Sequence, residues 1–146
     1  MDKKTTGIAA PKAMSLFLAA VFAAVGLIFL LFPRGVLRFF NFVSRPLGMA
    51  RAPEVGYQFY LILAAAYMYV VARLAWLMFR QPWNRVYPML LWQAKLASSL
   101  VSFCLFFLHQ PYLIYLVNGI IDGAIGLVVL FIYLKMQKNP NLGHPS

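Results

Sequence analysis

Little in this chain can hold a metal or form a cross-link: 146 residues contain one cysteine, Cys104, and two histidines, His109 and His144. The lone thiol excludes an intrachain disulfide and a Cys-based metal cluster. One histidine in a turn and one in the tail exclude a bis-histidine haem held between helices of a single chain. No His/Cys/carboxylate cluster falls at metal-ligand spacing, no glycine-rich phosphate loop is present, and no Gly-x-Ser-x-Gly elbow occurs. Hydrolase, kinase and metalloenzyme readings fall away; no haem or metal ligands are evident, and the residues leave any cofactor unknown. Charge is scarce too: 11% of residues are charged against 63% hydrophobic, which is too little polar surface to coat a soluble domain of this size.

What the chain has instead is apolar length. Four runs of about 20 residues can each cross a bilayer, at 13–32, 57–79, 88–108 and 112–134. They define an all-α polytopic membrane protein: one transmembrane domain over 1–146, a four-transmembrane-helix bundle, with basic tails at 1–11 and 136–146 expected to be disordered. The net charge of +10 does not point to nucleic acid, because most of the cations sit at the ends of apolar runs, where phospholipid headgroups lie. A basic tail before an apolar run also describes a secretory signal. The first run is too long for that and lacks a small-x-small site before Pro33, so it reads as a retained anchor. Its small residues Ser15, Ala19, Ala20, Ala23, Ala24 and Gly26 would allow close helix approach, or are ordinary alanine-rich helix.

Between the first two spans, Arg34, Arg38, Asn41 and Arg45 recur at i, i+4, i+7 and i+11, with Val36, Leu37, Phe39, Phe40, Phe42 and Val43 on the other face. This predicts an amphipathic helix over 34–45 lying in the interface, basic side to the headgroups, with a short connector packed over the bundle as the alternative, compatible reading. Glu54 follows in the next loop, solvated and within reach of Arg51 or Arg45. The short links 81–87 and 109–111 make spans two and three, and spans three and four, antiparallel neighbours. Lys3, Lys4, Lys12, Arg80, Arg85, Lys135 and Lys138, with Arg73 by reach, collect on one side, and Arg34, Arg38, Arg45 and Arg51 on the other. That bias puts both termini in the cytoplasm and the protein in the cell's inner membrane. Arg73 reads as an anchoring residue that snorkels to the headgroups.

Two ionisable residues lie deep in the last two spans, Lys95 in the third and Asp122 in the fourth. A lone charge in hydrocarbon is costly, so opposite charges on adjoining spans are expected to shelter together. Ser99 and Ser102 share the face of Lys95, and Asn118 shares that of Asp122. These five residues form the candidate buried polar site, and water or Asn118 would close any vertical gap between the two charges. Gly119, Gly123 and Gly126 run beside them as a helix-packing stripe, with a homodimer contact as the competing use.

The layout resembles the DoxX-like group of small four-helix bacterial membrane proteins. The likeness rests on a first span ending in Phe32 and Pro33, an aromatic loop with Glu54, a cation at Lys95 in span three and a carboxylate at Asp122 in span four. Members more often carry arginine and glutamate at the last two positions. Some are linked to quinone or thiol redox systems, and this chain lacks the cysteines for a thiol role. The expected function is a non-enzymatic subunit: it joins a homo-oligomer or larger membrane complex, or binds a small lipophilic molecule. Proton-coupled or ion transport by an oligomer, and a quinone-linked oxidoreductase subunit, are the alternatives.

Overall fold

A computed structural model of the chain describes residues 3 to 56 and 58 to 138, with side chains for 12 to 56 and 60 to 138. Among the described residues there are five helices: α1 (Lys3–Leu31), α2 (Pro33–Ser44), α3 (Gln58–Arg80), α4 (Val86–Leu108) and α5 (Leu113–Lys138). All but α2 are long and apolar enough to cross a membrane. Between 17% and 28% of each span is buried within the chain, so most of the helical surface faces outward, and that surface is largely Leu, Ile, Val and Phe. Such a surface is stable only in lipid, and the chain is a small multi-pass membrane protein.

Helix limits follow local chemistry. Pro33 opens α2, where its missing N–H is one of the unpaired donors of a first turn. Pro88 lies in the first turn of α4 for the same reason, and the Asn84 side chain accepts the Val86 N–H at 3.0 Å as that helix begins. Gly48 and Gly56, at φ +64° and +78°, take the left-handed turns that reverse the chain between α2 and α3. The ends differ from expectation in one respect. Helix α1 already runs from Lys3, where a disordered tail was expected, and α5 continues past 134 to Lys138. A helix nucleated across a membrane gains one hydrogen bond for each residue added to it. The rest of the tails lies outside the described residues.

The spans alternate up and down. Lys12, where the apolar span of α1 begins, stands 5.8 Å from the Trp83 ring in the α3–α4 link. A small cleft at this tail end is lined by Ser15, the link residues Pro82 and Asn84, and Met136 near the end of α5. At the opposite end, Ala50 bridges to Tyr112 just before α5. Packing is tightest in two pairs, α1 on α3 and α4 on α5, with thinner contact between α3 and α4. Phe22, Val71, Ala75, Leu91 and Val129 form the buried apolar core between the pairs. In α1 the small residues facing that core are Ser15 and Ala19, while Gly26 meets Met68 of α3. Ala20, Ala23 and Ala24 face outward.

Helix α2 forms a shelf at the second end, and its polar stripe is used differently from the expected pattern. Asn41 and Ser44 are buried, and Phe42, 77% exposed, points outward. The cause is the returning loop: Asn41 Nδ2 donates to the Ala52 carbonyl (2.9 Å), and the Ala52 N–H donates to Asn41 Oδ1 (2.8 Å). Glu54 then pairs with Arg38 at 3.2 Å, not with Arg51 or Arg45. The loop buries Asn41 and Ser44, while Arg34, Arg38 and Arg45 of the stripe stay exposed, as do Phe39 and Phe42.

Two substitutions test this packing. A Cβ on Gly126 would lie 2.8 Å from Leu96 Cδ2 and 3.3 Å from the Leu96 backbone nitrogen. Gly126→Val is therefore expected to lower stability in detergent by about 1–3 kcal/mol, read as a thermal melt beside Gly35→Ala, whose nearest contact is an ordinary 3.8 Å. Asn41→Ala removes both bonds to Ala52 and is expected to raise hydrogen exchange at the Ala52 amide while amides in the middle of α4 stay protected.

Candidate functional site

Lys95 is set in the middle of α4 on the face shared with Leu91, Ser99 and Ser102, all buried. It is 1% exposed, and Asp122 on α5 is 5% exposed. Their side chains meet directly, Nζ donating to Oδ1 at 2.7 Å. Neither water nor Asn118 stands between them; the flexible lysine stem spans the vertical offset. An ammonium has three donors. Beyond the carboxylate, Lys95 Nζ lies 4.5 Å from the ring centroid of Phe22 on α1 and 5.2 Å from that of Tyr67 on α3. Both distances are within the range in which an aromatic face attracts a cation. All four spans therefore meet at one positive charge.

The remaining polar groups line the α4–α5 seam. Ser99 Oγ donates to the Gly119 carbonyl at 2.7 Å. Asn118 Nδ2 donates to Ser102 Oγ at 2.8 Å and to Ser98 Oγ at 3.4 Å. Asn118 is at the exposed rim of the seam, and its hydrogen-bond partners are the two serines, not Lys95 or Asp122. The structure thus places the expected residues along one seam but separates them into a buried ion pair and a hydroxyl–amide cluster nearer the shelf end.

The glycines make this approach possible. A Cβ on Gly123 would stand 2.8 Å from Ser99 Oγ, and one on Gly119 would stand 3.1 Å from the Phe103 ring. With Gly126 against Leu96, the whole stripe is occupied by α4 of the same chain. That face is not free for a second copy.

Two contributors were missed by sequence reasoning. Phe22 and Tyr67 look like ordinary aromatic residues of a greasy span, and only helix packing aims their faces at the ammonium. The Tyr67 hydroxyl also donates to the Ala94 carbonyl at 3.0 Å, which ties α3 to α4 just before Lys95. A hydroxyl bonded to a backbone carbonyl in mid-span has no sequence signature.

Chemically, the arrangement is closed. The ammonium is enclosed by a carboxylate and two rings, and the pair is almost fully removed from the surface. The site defines a helical membrane protein with a sealed ionic centre. No family model, characterised protein or solved structure matches the chain.

Breaking one side of this pair strands the other charge. Lys95→Met and Asp122→Leu, made singly, are each expected to destabilise the protein by about 3–5 kcal/mol. The double substitution, which removes both charges and leaves apolar volume, is expected to recover most of that loss. Thermal melts of the four proteins in one detergent, analysed as a double-mutant cycle, measure the coupling.

Proposed function

We propose that this chain is a non-enzymatic assembly subunit of an inner membrane, with the Lys95–Asp122 pair acting as the lock that holds its own four spans in register. The observation that carries the reading is the sealed geometry of the pair: a direct 2.7 Å contact between side chains that are 1% and 7% exposed. A ligand site or a conduction path needs polar groups that face a cavity or change partners. Here the charged groups face each other and two rings, and Ser99, Ser102 and Asn118 are engaged along the helix seam. The function is then exerted from the outside of the bundle, through its outward helix faces and the α2 shelf. The tail end, richer in lysine and arginine, faces the cytoplasm. The likeness to the DoxX-like layout belongs to the same proposal.

The deciding comparison uses the wild type and the Lys95→Met/Asp122→Leu double variant. Extracted in a mild detergent, both are expected to run in an assembly of the same size, larger than one chain. In reconstituted vesicles both are expected to give the same proton flux as empty vesicles. Flux that appears with the wild type and disappears with the double variant would replace this reading with transport.

A further inference from the structure

The outward side of α3 carries a stripe that ordinary lipid contact does not call for. Ile62, Tyr69 and Trp76 recur every seven residues, as do Arg73 and Arg80, and all five are exposed. Val71 and Ala75, on either side of Arg73 in sequence, are completely buried. Arg73 therefore points away from the bundle. A strict seven-residue repeat is the pattern of a seam between packed helices.

The depth of Arg73 makes the stripe specific. Arg80 ends the span, and Arg73 lies seven residues, about 10 Å along the helix, inside it. The headgroups nearest to it are at the C-terminal end of α3, whereas helical side chains lean toward the N-terminus. Snorkelling would have to run against that lean. Arg73 makes no hydrogen bond or ion pair among the described residues. A guanidinium cannot shed its charge, so at this depth it calls for a carboxylate.

No carboxylate among the described residues is free to supply one. The chain's acids are Asp2, Glu54 and Asp122. Glu54 is at the opposite end of the bundle on Arg38, Asp122 is held by Lys95, and Asp2 lies outside the described residues. A second copy has the same described acids in the same salt bridges, so the described residues of a homodimer leave Arg73 unpaired.

We propose that the Ile62–Tyr69–Arg73–Trp76 stripe is a docking seam for a transmembrane helix of a different protein, one that carries an aspartate or glutamate opposite Arg73. This inference rests on the assembly reading above and names the chemistry of the partner. Tyr69 and Trp76, one turn to either side of Arg73, supply the apolar walls that exclude lipid from the ion pair.

The test uses synthetic polyleucine transmembrane helices in phosphatidylcholine vesicles. The purified full chain carries a donor dye on Cys104, its single cysteine, exposed on α4. Acceptor-labelled peptides carry Asp, Asn or Leu at the depth of Arg73. The Asp peptide is expected to associate about threefold to thirtyfold more tightly than the Leu peptide, the span covered by polar contacts between membrane helices. Arg73→Leu should abolish that preference, while Arg73→Lys retains part of it and Arg80→Leu leaves it intact. The proposal is overturned if the Asp peptide binds no better than the Leu peptide or if the preference survives Arg73→Leu. It is also overturned if added phosphatidylglycerol removes the preference, which would give Arg73 to a lipid headgroup, or if donor- and acceptor-labelled copies of the chain associate with each other through Arg73. Failure of the underlying reading looks different: the wild type extracted from its membrane then runs as a lone chain. An assembly that forms but keeps its size in Arg73→Leu sinks the docking seam alone.

Discussion

Four membrane-crossing helices converge on the ammonium of Lys95, which bonds Asp122 of α5 and lies against the rings of Phe22 of α1 and Tyr67 of α3. The weight of this contact comes from the solvent. Lipid tails are as apolar as leucine, so apolar side chains gain little by meeting each other instead of lipid. The two tight helix pairs, α1 with α3 and α4 with α5, would otherwise face each other across a core of Phe22, Val71, Leu91 and Val129 that specifies packing but no unique alignment. A charge that tolerates only one set of neighbours supplies the alignment. The glycine stripe of α5 serves the same contact, since larger residues at 119, 123 and 126 would hold the α4 backbone too far away.

The scarcity of acids organises the rest. Each of the two described carboxylates sits in one salt bridge, Asp122 in the sealed centre and Glu54 at the shelf with Arg38. At the shelf the bridge works together with the paired Asn41–Ala52 hydrogen bonds to fold the loop back over the polar side of α2. The same two-sided arrangement leaves Phe39 and Phe42 facing outward as a wedge at the interface. With every described acid committed, the outward guanidinium of Arg73 has no carboxylate partner among the described residues.

The class of protein, the number of spans, the antiparallel order forced by the short links, and the sheltering of Lys95 with Asp122 were all legible in the residues. Each follows from a local or compositional rule: apolar run length, link length, and the refusal of hydrocarbon to solvate a lone ion. The glycine and serine spacings were legible as helix faces, because a 3.6-residue period needs no partner to be computed. The partner of Glu54 was not legible. Arg51 and Arg45 are nearer in sequence, but the loop reversal at Gly48 and the grip of Asn41 on Ala52 bring Glu54 back to Arg38.

The sequence alone thus determined where the chain enters hydrocarbon and which of its groups hydrocarbon would not tolerate alone, since both depend only on the cost of transferring side chains from water. The tertiary structure decided who shelters them. That Phe22 and Tyr67 enclose the ammonium, that Asn118 bonds serines and not the ion pair, that Asn41 turns inward, and that Arg73 turns outward all depend on the rotation of each helix about its own axis. Rotation is set by the packing of many side chains at once, and no single residue carries it.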